Sequence, residues 1–367
     1  MRWRFCVNVI FSTPRFVHFR RRPGCMEQKT QFEAAMNRAF ELAAQSPAFG
    51  VNPQVGAVIL DASGQIVAEG FHRGAGTAHA EVDALANLKA AGISAAGLTA
   101  VVTLEPCNHT GKTGPCSQAL IAAGIGRVVF AASDPGEKSK GGAQTLADAG
   151  IEVLAGVQAV RGFDLIKPWV VNTFLKRPYV LLKWASSIDG RSAAPDGSSK
   201  WITGPEARAD VHLRRSKADA ILVGTGTVLA DDPELTARQE DGSLYADQPL
   251  RVVVGESKLE ATARVFNRDA ETVQFETRDM NLVLAELFSR GVRSLFIEGG
   301  PTVATQFVNL GLVDEYLIYL APMLIGGPKT SIKQLDVATM SEAQQLEFIQ
   351  VEKLGKDLFI RALPREK

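Results

Sequence analysis

The sequence is poor in cysteine, with four in 367 residues. So few cannot form a disulfide framework in a chain this long, which points to a reducing cytoplasm and to thiols, or bound thiolates, at Cys107 and Cys116. Also missing is any run of about 18 to 20 consecutive apolar residues, so no transmembrane helix is encoded. With 46% apolar and 22% charged residues, a soluble globular protein is expected. No internal repeat or low-complexity tract interrupts the chain. A length of 367 residues exceeds what one hydrophobic core usually organises, so two domains are expected.

Net charge is absent as well, 40 basic side chains balancing 40 acidic ones, but the balance hides a split. Residues 1–25 carry Arg2, Arg4, Arg15, Arg20, Arg21 and Arg22 and no acid, leaving 34 basic against 40 acidic side chains in the rest. Three readings compete for this leader: an import peptide for a plastid or other organelle, a basic nucleic-acid arm, or upstream sequence read through before a start at Met26. Helical patterning begins just after Met26 and nothing before it has a clean period. This favours the third reading, in which the leader is disordered or not native.

Beyond Met26, apolar residues at near-helical spacing (Phe32, Met36, Ala39, Phe40, Ala43) predict an amphipathic helix within 29–45. "QVGAVILD" and "IVAEGFHR" flank "ASGQ", a hairpin signal. "HAEVDALANLKAAG" reads as a helix ended by Gly92, "LTAVVTLEP" as a buried strand, and "CSQALIAAG" as another helix. "RVVFAAS" and "IEVLAGV" supply two more strands. Strands alternating with helices imply a sheet layered with helices, complete near residue 156 and followed by a helical connector to Lys176. The pattern restarts at "RPYVLLKWASSIDG", and four further alternating stretches run to residue 327.

His79, Cys107 and Cys116 offer three metal donors, with Glu81 two residues after the histidine. A catalytic zinc takes three protein ligands and keeps a position for water, whereas a structural one takes four; His109 is the neighbour that could complete a structural set. Residues two apart on a helix do not share a face, so Glu81 is free to serve as a proton carrier instead of a ligand. Pro115 directly precedes Cys116, whose place at a helix start favours a thiolate. A solvated histidine and an unrelated cysteine pair are the plain alternatives. The full set, in order on helix, strand and helix, argues for catalytic zinc.

H-A-E followed by P-C and a later cysteine is the zinc-deaminase signature, except that eight residues separate Cys107 from Cys116 where the general form has two. With "NPQVGAVI" and "TLEPCNHTGKTGPC", this resembles the deaminase half of the bifunctional riboflavin-biosynthesis deaminase-reductase family, in which the long spacing is usual. The resemblance implies that Asn52 and the loop between the cysteines hold substrate. His109 and Lys112 there suit a phosphate.

In the second half, "ILVGTGTVL" reads G-x-G-x-x-L and lacks the third glycine of a dinucleotide fingerprint. "LFIEGGPTVATQF" is more persuasive: a strand, two glycines and a helix whose free N–H groups could receive phosphate. "LLKWASSIDGR", "SKWITG", "GTGTVLADDPELTAR" and "IEGGPT", in order, resemble the reductase half of the same family. That resemblance implies a dihydrofolate-reductase-like domain using NADPH, after a cytidine-deaminase-like three-layer α/β domain. It also implies cofactor contacts at Ala185, Trp201, Thr227, Asp231 and the run Gly300, Pro301, Thr302, Val303, Ala304, Thr305 and Gln306. Substrate contacts are implied at Ser199, Arg215, Leu235, Arg238 and Glu298. Arg215 and Arg238 could fork onto a sugar phosphate, and Lys183 at a strand end is a candidate proton donor. The residue that recognises the 2′-phosphate of NADPH is not assignable from sequence.

The expected protein therefore has a zinc deaminase domain over 26–172 and an NADPH-dependent reductase domain over 177–367. The implied substrate is 2,5-diamino-6-(5-phosphoribosylamino)pyrimidin-4(3H)-one, deaminated before its ribosyl group is reduced to ribityl. A homo-oligomer, most simply a dimer, is expected, without nucleic-acid or membrane partners. A nucleic-acid-editing deaminase fused to a reductase-like binding module is the alternative. Against it, the chain beyond the leader is acidic and shows neither a basic stripe nor an aromatic stacking platform.

Overall fold

The computed structural model describes residues 31–110 and 114–365. The leader, Lys112 and the readings made of them lie outside the described residues. The chain divides into two compact units, one up to Lys167 and the other from Pro168.

In the first unit, helix α1 (Glu33–Ala43) precedes a hairpin of β1 (Gly56–Leu60) and β2 (Ile66–Phe71). Helix α2 (Ala80–Ala90), β3 (Thr99–Leu104), α3 (Cys116–Ala122), β4 (Arg127–Ala132), α4 (Gly142–Asp148) and β5 (Glu152–Ala155) follow. The strands form one sheet in the order β2-β1-β3-β4-β5, antiparallel through β3 and parallel beyond it. Met36, Ala39 and Phe40 of α1 pack on Val58, Leu60, Val101 and Val129. Strand residues of the opposite parity, Ala57, Ile59, Val102 and Phe130, are equally buried. Successive strand side chains point to opposite faces, so both faces of this sheet are covered.

Helix α5 (Ala159–Val170) leads to the second unit, whose strands are β6 (Tyr179–Ser187), β7 (Ala220–Gly224), β8 (Leu250–Val254), β9 (Thr272–Phe275), β10 (Ser294–Ile297), β11 (Glu315–Ala321), β12 (Leu346–Leu354) and β13 (Asp357–Pro364). Their order is β12-β13-β11-β6-β10-β7-β8-β9, parallel from β11 to β9 and antiparallel at β13 and β12. Helices α6 (Pro205–Lys217), α7 (Thr225–Asp231), α8 (Met280–Ser289) and α9 (Pro301–Asn309) cross between parallel strands. Val180, Leu222, Val252 and Leu295 meet Leu284 and Phe307 in its core. α6, β9, α8 and the β12–β13 hairpin were not read from sequence. Among the described residues, no helix is long and apolar enough to cross a membrane.

Candidate active site

In the first unit, His79 stands at the N-cap of α2, Cys107 lies in the loop three residues after β3, and Cys116 opens α3. Their donor atoms lie within 4.8 Å of one another. His79 Nδ1 is 3.5 Å from Cys107 Sγ and 3.3 Å from Cys116 Sγ. Zinc bonds of about 2.3 Å to sulfur and about 2.05 Å to nitrogen, at tetrahedral angles, require a separation of about 3.5 Å, so the donors fit a zinc ion. The hydrogen bond from the Cys116 thiol pushes the Cys107 thiol down, while that bond and burial push Cys116 up. A cation placed among the donors would take over the role of the Cys116 proton. Among the described residues His109 is not part of the cluster, which has three protein donors, the catalytic count.

Glu81, in the first turn of α2, is 5% exposed. Burial pushes its carboxyl up to about 7, the Cys107 charge adding to the rise and a hydrogen bond with Cys116 opposing it. It stands beside the ligands without being one of them. Asn52 donates through Nδ2 to His72 Nε2 at 2.9 Å, and His72 Nδ1 lies 3.0 Å from the Ala78 carbonyl. A carbonyl can only accept, so Nδ1 carries a proton and Nε2 accepts, which fixes the Asn52 amide with its oxygen free. The His72 and His79 rings meet edge to face with centroids 5.5 Å apart, putting this amide beside the metal ligands. His109 Nδ1 is buried without a partner.

In the second unit, a cleft of about 1330 Å³ opens across the carboxyl ends of the parallel strands, larger than the ~300–1,000 Å³ usual for one ligand. Lys183, Ala185, Ser199, Trp201, Arg215, Thr227, Asp231, Arg238 and Glu298 line it, as do Gly300, Pro301, Thr302, Val303 and Gln306. Leu235, Ala304 and Thr305 do not. Ala304 is in the core, the Thr305 hydroxyl accepts the Lys333 N–H, and Leu235 is buried with φ of 56°. α9 opens without a side-chain cap, and a side chain at Gly299 would collide with Val303. Thr227 Oγ1 accepts the Gly300 N–H at 3.2 Å, tying the starts of α7 and α9 together. Trp201 is 67% exposed, with the Arg208 guanidinium 4.5 Å from its ring centre, and so is no core residue.

Glu298 accepts from Arg215 Nε at 2.5 Å, Arg215 Nη2 at 3.0 Å and Lys183 Nζ at 3.2 Å. Burial would raise its carboxyl, but Arg215 and Lys183 outweigh that and hold it at about 2. Arg215 therefore spends its fork on Glu298, and Arg238 pairs with Glu234. Neither arginine stands ready to clamp a phosphate with its whole fork, as the sequence reading had it.

Residues 29–132 match the cytidine and deoxycytidylate deaminase zinc-binding region, and residues 178–360 match the RibD C-terminal domain. The riboflavin biosynthesis protein RibD of Mycobacterium tuberculosis H37Rv is 46% identical, over 93% of this chain and 99% of its own length. The chain belongs to the RibD family. RibD of Escherichia coli K12 is 37% identical over 89% of this chain and 98% of its own. A diaminohydroxyphosphoribosylaminopyrimidine deaminase/5-amino-6-(5-phosphoribosylamino)uracil reductase from Thermotoga maritima superposes with a TM-score of 0.77, at 32% identity, covering 92% of this chain and all of that one. A RibD from Acinetobacter baumannii gives 0.75 at 35% identity, also over 92% of this chain and all of that one. As in the RibD family, a cytidine-deaminase-like domain precedes a reductase domain, and the chain is a bifunctional deaminase and reductase.

Three residues at these sites escaped the sequence reading. His72 orients Asn52. Glu105 accepts the N–H groups of Asp134, Gly141 and Ala143, tying the Cys107 loop to the segment before α4. His212 lines the second cleft, where burial and the Arg215 cation hold it down at about 4, so it is neutral. The chain has five histidines, and their scarcity is the signal that would have drawn attention to His72 and His212.

Proposed function

We propose that the chain removes the 2-amino group of 2,5-diamino-6-(5-phosphoribosylamino)pyrimidin-4(3H)-one as ammonia, then reduces the ribosyl group of 5-amino-6-(5-phosphoribosylamino)uracil to ribityl. The deaminase is assigned to residues 26–172 and the reductase to 177–367. The observation that carries the reading is the convergence of His79, Cys107 and Cys116 next to the buried carboxyl of Glu81.

Zinc held by these three side chains would supply Lewis acidity and a water acidic near neutral pH. Glu81 moves protons between that water and the departing amine, a task suited to a carboxyl brought near neutrality by burial. The free oxygen of Asn52 accepts from the substrate, and His109 offers its unpartnered nitrogen to the substrate from the cysteine loop. Lys112 is assigned to the phosphate.

NADPH would supply the hydride in the second cleft, its diphosphate taken by the uncapped start of α9. Ala185, Trp201, Thr227 and Asp231 complete that subsite. Lys183 delivers the proton to the ring oxygen as the ribosyl ring opens, and Glu298 and Arg215 hold it in place. Ser199 and Arg238, which line the cleft, are assigned to the substrate.

The same reading makes the protein a cytoplasmic homodimer acting on a free small molecule and not on nucleic acid. Exposed Phe348 and Val351 on the edge strand β12 support a pairing surface, which sedimentation would test. The test of the whole reading is Glu81→Gln. Zinc content and NADPH-dependent reduction of supplied deaminated intermediate should persist while ammonia release is lost. Loss of both activities together would count against two independent sites.

A further inference from the structure

We propose that Arg278 selects NADPH over NADH by holding the 2′-phosphate of the adenosine ribose. The proposal rests on the cleft of the second unit being the dinucleotide site. That cleft runs past the carboxyl ends of β6, β10, β7, β8 and β9, adjacent strands about 4.8 Å apart, so about 14 Å separates β10 from β9. Lys183 and Glu298 mark its reducing end, at β6 and β10. The start of α9, after β10, is the place for the diphosphate. Beyond it, at the ends of β8 and β9, the lining consists of Gly255, Glu256, Thr277 and Arg278.

Arg278 is the uncommitted cation of that end. Its side chain is 75% exposed, and its ion pair, Nε to Glu256 Oε2, spans 3.4 Å, longer than a good hydrogen bond. The next acid, Asp279, is spent as the cap of α8, accepting from the N–H groups of Asn281 and Leu282. The other cations of the cleft are placed elsewhere: Lys183 and Arg215 on Glu298, Arg238 on Glu234, Arg208 on the Thr203 carbonyl and the Trp201 ring, Lys329 in the loop after β11 that pairs with Ser192, and Lys333 on the Thr302 hydroxyl at 2.7 Å. Lys333 sits at the start of α9, where it meets the diphosphate that both dinucleotides share. Glu256 alone would accept ribose hydroxyls and repel a phosphate, as an acid does in NAD sites. A planar guanidinium beside it reverses that preference by offering a fork to the phosphate oxygens.

Calorimetric titration of the full chain with NADP⁺ and NAD⁺ tests this without relying on turnover. The unmodified chain should prefer NADP⁺. Arg278→Gln should weaken NADP⁺ about tenfold to a hundredfold and leave NAD⁺ unchanged, while Lys333→Ala weakens both alike. Retention of the original NADP⁺ to NAD⁺ ratio in Arg278→Gln, or its collapse in Lys333→Ala instead, overturns the proposal. Failure of the unmodified chain to bind either dinucleotide removes the assignment of the cleft, and Arg278 with it.

Discussion

Replacing Glu298 with glutamine removes the anion that Arg215 and Lys183 share, in a site where the carboxylate side chain is 9% exposed and each cation 16%. The drop of the Glu298 pKa from 4.5 to about 2 corresponds to about 3 kcal/mol of stability. Stranding buried partner charges costs about 3–5 kcal/mol, the same order. Because the folded value lies below the unfolded one, this contribution is fully present above pH 4.5 and is lost as the pH falls through about 2. Among the described residues the tryptophans, Trp169, Trp184 and Trp201, all belong to the second unit, so their fluorescence follows its unfolding in urea. With a slope of about 2 kcal/mol per molar urea, Glu298→Gln should lower the midpoint at pH 7 by about 1.5 M. Below pH 4.5 the gap between the two proteins should narrow, because the unfolded chain's carboxyl takes up a proton there while the native one stays ionised until about pH 2. An unchanged midpoint at neutral pH, or a gap that stays constant into acid, would refute a network held together by an ionised Glu298.

Cys116→Ser should drop bound zinc below one per chain by elemental analysis and abolish ammonia release, with reduction of supplied deaminated intermediate intact. His72→Leu should raise the KM for deamination about tenfold, the cost of one misoriented hydrogen bond, with zinc content and reductase kinetics unmoved; an unchanged KM would detach His72 from Asn52.

The two halves were legible to different depths, for a physical reason. The zinc ligands come from segments whose local pattern is strong: a helix start at His79, a buried strand ending before Cys107, and a Pro-Cys helix start at Cys116. Once those elements are known, few arrangements remain for three short-range donors. What sequence could not supply was the state of each side chain. The burial that raises Glu81 and the Ala78 carbonyl that sets the His72 tautomer are products of packing.

In the second half, strand order governs the chemistry, and no local pattern encodes it. Leu182 of β6 lies in register with Ile297 of β10, so the residues that follow, Lys183 and Glu298, emerge side by side although 115 positions apart. Arg215 arrives from α6, which the sequence hid because only Ala207 and Val211 are buried along its 13 residues. Read alone, Arg215 and Glu298 each looked free to bind substrate. Placed together, Arg215 and Lys183 both pair with Glu298, which lies between the two cations. The loosely paired cation stands at the far end of the cleft, at Arg278, where a ligand with an extra phosphate could be distinguished from one without it.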